Sequence, residues 1–381
     1  MTSKGQADLS VIIVNYNVAS LVLQAVASLE RQKFAGPNGR DGRLEILVID
    51  NASSPEDVAC LEALPSGVVL VRNERNVGFA AANNQGIGRA SGRYLCFLNP
   101  DTKVLDGALD ALLQHLYGHP DVGAVGPRIW ADDERIVLLP PGDPSTLSFI
   151  LAQLLGGAFP AVGRWYGRRW CRRALAFWSS HEPVRVPMLS GACILTSRTA
   201  LDQVGGFDPR YFLYYEDTDW CRRLRRAGYR LVVVPAAEIV HYYNQSAKLD
   251  PNARGHALLS QSRFVGVHFG VWGRLLYEAA KAVNNRANRR RCPIMRPRAI
   301  ELGCLQVPPR LCVNGVVSSR EPLIQISRDW SFVPSAAVVV RTADFRFPPS
   351  VWERMQPGRY YARMIDPQTL RVLAIWSWEK G

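Results

Sequence analysis

The sequence predicts an α/β domain built on a parallel, doubly wound sheet, followed by a small β-rich region. Short apolar runs alternate with amphipathic helical stretches between residues 9 and 126, the pattern of strand–helix–strand units with right-handed crossovers. Three successive runs end in polar clusters: Asn15-Tyr16-Asn17, Asp50-Asn51-Ala52-Ser53 and Asn99-Pro100-Asp101. Such a topology puts all three on one sheet edge, where open α/β sheets bind ligands. From about Val307 the texture changes to prolines and short β-rich runs.

In chain order, residues 9–14 (Leu-Ser-Val-Ile-Ile-Val) form a short apolar run broken only by Ser10, consistent with a buried parallel strand. Residues 20–32 read as an amphipathic helix with Leu21, Leu23, Val26 and Leu29 apolar. A Gly/Pro/Asn-rich loop, 36–42, leads to a strand at 44–49 and a helix at 55–64. The third strand, 68–71, opens into Arg72-Asn73-Glu74-Arg75-Asn76-Val77-Gly78-Phe79, and a helix over 80–90 follows. The next strand, Tyr94-Leu95-Cys96-Phe97-Leu98, breaks at Asn99-Pro100, a pair that cannot continue a ladder. Asp101 is left at its C-terminal end, where an acid either holds a divalent cation against a phosphate or caps the next helix. A helix over 104–117 and a short strand at 122–126 complete this part.

Residues 131–180 show no clear period. They contain Pro140-Pro141, an apolar run at 147–162 interrupted by Pro160, and a patch at 164–173 with five arginines and three aromatics. The apolar run is shorter than the roughly 18 residues a membrane span needs. The basic-aromatic patch suits an interfacial membrane contact, and a loop packed over the active site is the alternative.

Residues 184–196 return to a strand, and Ser190-Gly191-Ala192 in it permits close approach of a backbone or ligand. Glu216, Asp217 and Asp219 lie directly before a helix at 221–227. One acid there is a cap, but three are more than capping needs. A strand at 231–234 is expected to end at Pro235, and Ile239-Val240-His241 leaves a histidine where it can reach a metal. Residues 255–283 read as helix, and 281–298 hold seven basic residues and no acid. The expected organisation is a main domain over 1–285, a basic linker over 286–304 and a sandwich-like β domain over 305–381. The aromatics of that last region (Trp330, Phe332, Trp352, Tyr360, Tyr361, Trp376, Trp378) are expected in its core rather than on a sugar platform.

Composition narrows the function classes. The chain has 381 residues, 48% hydrophobic and 21% charged, so core material is ample. Its net charge of +13 favours anionic partners, yet the basic clusters match no nucleic-acid module. The first eight residues contain no apolar segment, so no signal peptide is expected. The eight cysteines are scattered without zinc spacing and read as reduced, buried thiols of a cytoplasmic protein. G-x-G-x-x-G and G-x-x-x-x-G-K-[ST] are both missing, which argues against a dinucleotide fold and a P-loop. The first strand is not followed by the Gly-rich loop of nucleotidyltransferases.

Taken in order, Asn15-Tyr16-Asn17, Val48-Ile49-Asp50-Asn51-Ala52-Ser53, Asn76-Val77-Gly78-Phe79, Asn99-Pro100-Asp101, Ser190-Gly191-Ala192 and Glu216-Asp217-Thr218-Asp219-Trp220 resemble the motifs of family 2 inverting glycosyltransferases. Within that family the likeness is to the rhamnosyltransferase-like branch, over roughly residues 8–285. The resemblance implies a GT-A fold with a doubly wound mixed sheet, next to the small C-terminal all-β domain. It implies a nucleotide-sugar site lined by Asn15, Tyr16, Asn17, Asp50, Asn51, Asn76, Gly78, Asn99, Asp101 and Gly191, with Asp50 accepting from the N3–H of uridine or thymidine. Asn99-Pro100-Asp101 stands where the family has D-x-D. Asp101 and His241 are therefore the implied ligands of Mg²⁺ or Mn²⁺, with Asn99 a polar helper. Asp217 is the implied general base, with Glu216 and Asp219 as alternatives, and Trp220 is placed against the acceptor sugar.

The implied reaction moves a sugar from a nucleoside diphosphate, dTDP-L-rhamnose first and a UDP-sugar next. The acceptor is a glycan or polyprenyl-linked glycan of cell-surface polysaccharide synthesis. The protein would sit peripherally at the inner face of the cell membrane, compatible with a homo-oligomer. A weakly catalytic glycan-binding or scaffold subunit of a polysaccharide assembly complex is the competing expectation.

Overall fold

The computed structural model describes residues 6–37, 39–156, 158–242, 252–289, 299–312, 322–340 and 344–381. The chain forms two compact units. The first comprises 1–129, 142–145 and 181–268, and the second 130–141, 146–180 and 269–381.

In the first unit, β1 (Leu9–Asn15) is buried along its whole length. It is followed by α1 (Ala19–Glu30), β2 (Leu44–Asp50), α2 (Pro55–Cys60), β3 (Val69–Arg72), α3 (Phe79–Arg89) and β4 (Tyr94–Leu98). β1 pairs in parallel with both β2 and β4, and β2 in parallel with β3. The C-terminal ends of all four strands therefore lie on one edge. α1 turns Val22, Ala25, Val26 and Leu29 inward, whereas Leu21 and Leu23 are only half-buried. The helix face is thus rotated from the expected one, because Ala25 lets the backbone approach the sheet.

β5 (Thr102–Val104), α4 (Ala108–Gly118) and β6 (Val122–Trp130) come next. α4 buries Leu109, Leu112, Leu113 and Leu116, the i, i+3, i+4, i+7 stripe of a core helix. β7 (Val137–Leu138), α5 (Leu147–Gly156) and α6 (Pro160–Trp178) belong to the second unit. The first resumes with β8 (Val184–Arg185), β9 (Cys193–Ser197), α7 (Arg198–Val204), α8 (Glu216–Arg226) and β10 (Arg230–His241). β9 runs antiparallel to both β4 and β6, and β10 antiparallel to β5 and β8, which makes the sheet mixed.

Two sequence expectations need correction here. Residues 186–192 between β8 and β9 are not strand. β10 does not stop at Pro235: it pairs with β8 at Val232–Val233 and with β5 at Ile239–His241. The proline sits between these two paired stretches.

α9 (Ala253–Arg289) is two helical stretches broken at Gly270, whose φ of 66° and ψ of −165° are not helical. The second unit continues with β11 (Ile300–Leu305), β12 (Arg310–Cys312), β13 (Leu323–Ser327), β14 (Ala336–Val339), β15 (Asp344–Arg346), α10 (Pro349–Arg354), β16 (Gly358–Ile365) and β17 (Val372–Lys380). Its sheet has the order β11-β17-β16-β13-β14-β7, and β12 pairs with β15 as a separate ribbon. The two faces of the sheet feed different cores. Leu323, Ala337 and Ile365 pack with Tyr166, Trp170, Cys171, Ala174 and Trp178 of α6. Ile324, Ile326, Val338 and Tyr360 pack with Phe345, Phe347, Trp352 and Trp378.

The C-terminal β region thus builds its core with helices from earlier in the chain, and does not begin at residue 305. Residues 300–304, expected in a linker, are strand, and the rest of the basic stretch lies partly outside the described residues. The patch at 164–173 is neither loop nor irregular: it lies on α6, which buries Tyr166, Trp170 and Cys171, leaves Arg164, Arg168, Arg169 and Arg172 exposed and lays the half-buried Arg173 over the Phe149 ring. Phe332, Trp352, Tyr360, Tyr361, Trp376 and Trp378 are buried as expected, whereas Trp330 is only half-buried. Among the described residues no cysteine is in a disulfide; Cys96, Cys171, Cys193 and Cys221 are buried as expected, whereas Cys60, Cys304 and Cys312 are exposed. Cys96 and Cys193 lie on neighbouring strands with sulfurs 3.7 Å apart, too far for a bond. Among the described residues, no helix is long and apolar enough to cross a membrane.

Candidate active site

The parallel register sets Asn15 beside Asp50 and aligns the ends of β1 and β4. Beyond those ends opens a cleft of about 330 Å³. Its walls include Tyr16, Asn51, Asn76, Gly78, Phe79, Asn99, Asp101, Ser190, Gly191, Phe212, Tyr214, Glu216, Asp217 and His241.

Two of the polar clusters brace this cleft and reach its wall only through Tyr16 and Asn51. The buried Asn15 amide Nδ2 lies 2.9 Å from Asp50 Oδ1, 3.0 Å from Ser53 Oγ and 2.7 Å from Asp57 Oδ2. Asn17, at φ 58°, accepts from the Ser54 N–H at 2.7 Å. These bonds tie the turn after β1 to the start of α2. Asn15, Asn17 and Asp50, all expected to touch the donor, are outside the cleft wall, and of the first cluster only Tyr16 reaches it. Asn51 Nδ2 donates to Asn76 Oδ1 at 2.7 Å, and its Oδ1 accepts from Asn73 Nδ2 and the Val77 N–H. This network shapes the loop to Gly78. At φ 87° Gly78 leaves no room for a Cβ, which would fall 2.8 Å from the Phe212 carbonyl.

One corner of the cleft gathers the D-x-D-like cluster. β10 pairs with β5 so that His241 faces Thr102, and this brings His241 Nε2 within 3.1 Å of Asp101 Oδ1. The Asn99 amide lies 3.5 Å from the same ring nitrogen. Asp101 and His241 are buried, 4% and 6% exposed. A carboxylate oxygen, an imidazole nitrogen and an amide group that can present its oxygen make a donor set that suits Mg²⁺ or Mn²⁺. Among the described residues, three His, Cys, Asp or Glu side chains are nowhere grouped for a metal. Among the described residues, Asn99 is the polar side chain beside this pair, and water or a bound phosphate can supply further ligands.

The acidic cluster occupies the same cleft. Tyr214 and Tyr215 both have positive φ, 65° and 69°, a sparsely populated conformation for bulky residues. Gln261 Nε2 donates to the Tyr215 hydroxyl at 2.6 Å, and the Ser260 hydroxyl donates to the Leu213 carbonyl at 2.9 Å. The strained turn delivers Glu216 and Asp217 as the first residues of α8. Asp217 is well held: Oδ2 accepts from the Gly191 N–H at 3.1 Å, and Oδ1 from the Thr218 N–H at 2.6 Å and the Thr218 hydroxyl at 3.1 Å. Glu216 Oε2 is buried and has no partner among the described residues.

Burial raises both acids, and the two respond differently. The Glu216 carboxyl is pushed well up by burial and by the charge of Asp217. The Asp217 carboxyl is raised by burial but opposed by the hydrogen bonds from Thr218 and Gly191. Of the pair, Glu216 keeps its proton more readily and Asp217 its charge.

The remaining two acidic-cluster candidates are structural. Asp219 is ion-paired with Arg223 at 2.8 Å and His268 at 2.7 Å. Burial alone would raise its carboxyl, and those partners overcome it and hold it below the usual range. Trp220 is fully buried, donates to the Gly205 carbonyl at 3.0 Å and packs on Phe97 and Phe207. It belongs to the core, so the acceptor role expected for it is withdrawn. Trp220→Ala should cost about 3–5 kcal/mol in urea unfolding, as emptied aromatic sites do. A raised acceptor KM with unchanged stability would restore the acceptor role.

Sequence reasoning passed over Asn73, Thr218 and Phe212. Asn73 and Thr218 sat inside quoted motifs, and their polar side chains beside turns were the available signal. Gly191 shows why its residue type matters: a Cβ there would meet Asp217 Oδ2 at 2.9 Å. Gly191→Ala should lower kcat about tenfold or more by displacing that carboxylate, with the melting temperature unchanged within a few degrees. An unaltered kcat would detach Gly191 from the chemistry.

A mixed α/β sheet with polar residues at its strand ends, and a pair of carboxylates at the start of α8 in the same cleft, is the arrangement expected of a GT-A glycosyltransferase. The sequence profile of glycosyl transferase family 2 matches residues 10–205. An N-acetylglucosaminyl-diphospho-decaprenol L-rhamnosyltransferase of Mycobacterium tuberculosis is 33% identical over 223 residues, 55% of this chain and 69% of that protein. A putative polypeptide N-acetylgalactosaminyltransferase 13 of Drosophila melanogaster is 27% identical over 279 residues, 69% of this chain and 46% of that one. Among solved structures, that of GalNAc-T7 with UDP, GalNAc and Mn²⁺ superposes with a TM-score of 0.50 at 18% identity, over 75% of this chain and 55% of that one. That likeness shows the fold. The chain belongs to glycosyl transferase family 2, in its rhamnosyltransferase-like branch.

Proposed function

We propose that this protein is an inverting, divalent-metal-dependent glycosyltransferase of cell-surface polysaccharide synthesis. Its donor is a nucleoside diphosphate sugar, with dTDP-L-rhamnose the first to test and UDP-sugars the next. Its acceptor is a hydroxyl of a glycan or polyprenyl-linked glycan. The observation that carries this is the meeting of the Asp101–His241 corner and the Glu216–Asp217 pair in one cleft. The rhamnosyltransferase relative supports the donor and acceptor class.

Asp101 and His241 would hold the cation, with Asn99 beside them. When bound, it neutralises the diphosphate and stabilises it as leaving group. Asp217, oriented by Thr218 and Gly191, takes the acceptor hydroxyl's proton as that oxygen attacks the anomeric carbon. The new C–O bond forms as the bond to the diphosphate breaks on the opposite face, so configuration inverts. Glu216 stays protonated and keeps a second negative charge away from Asp217.

The arginine-bearing face of α6 is the proposed peripheral membrane contact, at the cytoplasmic side where the lipid-linked acceptor would be presented. Its Arg164, Arg168, Arg169 and Arg172 line one groove with Trp165. A thermal-shift screen of nucleotide sugars with and without Mn²⁺ tests the donor assignment. A true donor raises the melting temperature, and more so with metal. The absence of any shift across dTDP- and UDP-sugars at saturating Mn²⁺ would count against it.

A further inference from the structure

Beyond its break at Gly270, α9 exposes more apolar surface than a helix of a water-facing protein carries. Val271, Trp272, Leu275 and Leu276 are 73%, 79%, 54% and 54% exposed. They recur at i, i+1, i+4 and i+5, so they form one stripe along the helix. This is not the packing face: Gly273, Tyr277 and Ala280 are the buried positions of the same stretch. The second unit therefore carries a helix with one buried face and a separate apolar face turned outward. Val283 extends the outward stripe by two turns.

Charge decides among the possible occupants of this face. Along α9 there are six basic residues and one acid, Glu278, which is paired with Lys281 at 3.0 Å. A second copy of the chain would bring these cations together. A bilayer with anionic headgroups neutralises them and takes the apolar stripe into its acyl boundary. An outward tryptophan among leucines, flanked by arginine and lysine, has the composition of an in-plane interfacial helix.

We infer that the stretch of α9 after Gly270 is a lipid-inserting element, with Trp272, Leu275 and Leu276 entering an anionic phospholipid surface. This rests on the peripheral membrane reading above and adds to it. The arginines of α6 supply salt-sensitive attraction, and α9 supplies apolar anchoring that salt does not screen.

Co-sedimentation of the full chain with phosphatidylcholine vesicles, with and without phosphatidylglycerol, tests it. Wild type should bind the anionic vesicles, and W272S/L275S/L276S should weaken that binding about tenfold or more, as loss of buried apolar side chains does. All three positions are exposed, so the melting temperature and Mn²⁺-dependent donor binding should stay unchanged. If wild type binds and the triple variant binds equally, the α9 inference is overturned and the α6 contact stands. If wild type binds neither vesicle, both are overturned. A wild-type dimer in gel filtration that the triple variant converts to monomer, without vesicle binding, would make the stripe a self-association face instead.

Discussion

Asp217→Asn is expected to abolish transfer, lowering kcat by about 10²–10⁴-fold, the usual worth of a positioned general base. The amide keeps the size of the carboxyl, and its oxygen can still accept from Thr218 or Gly191. The fold and nucleotide binding should therefore survive, and the loss should fall on kcat rather than KM. Glu216→Gln is the informative companion. If Glu216 works as a neutral neighbour, the isosteric amide should keep activity within about tenfold, because it preserves the uncharged state. The pH profile provides a third readout. A base must be deprotonated, so activity is lost as pH falls through the raised value of Asp217. Burial sets that value above the ordinary carboxylate range. The acid limb of the wild-type kcat profile should therefore lie above that of a solvent-exposed aspartate, and it should be absent from the residual activity of Asp217→Asn. A larger loss in Glu216→Gln than in Asp217→Asn would reverse the two roles.

The second large effect is expected at the opposite kind of chemistry. Asp101→Ala should remove metal-dependent donor binding, because it deletes the proposed carboxylate ligand from a buried corner where, among the described residues, His241 is the other strong donor. A cation polarising a diphosphate supplies several kcal/mol, so a loss of about 10²-fold or more in kcat/KM follows. Asn99→Ala should weaken the same binding only modestly, since an amide oxygen is a weak ligand and its neighbours remain. Titration of Mn²⁺ and nucleoside diphosphate by calorimetry separates these outcomes. Equal losses in the two variants would put the first position of the motif on a par with the third.

Which of these residues could be read in advance follows from what a sequence encodes directly. The strand ends were legible because each apolar run stops at a polar cluster, and parallel pairing puts such ends together. Asp101, Asn99, Asn51, Asn76, Gly78, Gly191, Glu216, Asp217 and His241 do meet in the cleft. Asn15, Asn17 and Asp50 lie on the same edge with their side chains bonded to the neighbouring turns, through partners such as Asp57 that a linear reading does not connect. Asp219 and Trp220 shared a motif with Asp217, but a helix points successive residues 100° apart, and both turn into the core. α6 hid behind its composition: its arginines and tryptophans looked irregular, while Gly163, Tyr166, Gly167, Trp170, Cys171, Ala174 and Trp178 keep a helical spacing. The pairing of the C-terminal sheet with that helix spans more than 150 residues, as the Cys171–Gln325 contact illustrates, and no local pattern announces it.

The most direct test of the central claim is a transfer assay with purified wild-type protein. It would use Mn²⁺, dTDP-L-rhamnose or a UDP-sugar, and a polyprenyl-diphosphate-linked sugar acceptor, with mass spectrometry of the lipid product and NMR of its new linkage. The expected result is one added sugar of inverted anomeric configuration, formed by wild type and not by Asp217→Asn. Product of retained configuration, or equal product from the Asp217→Asn protein, would contradict it.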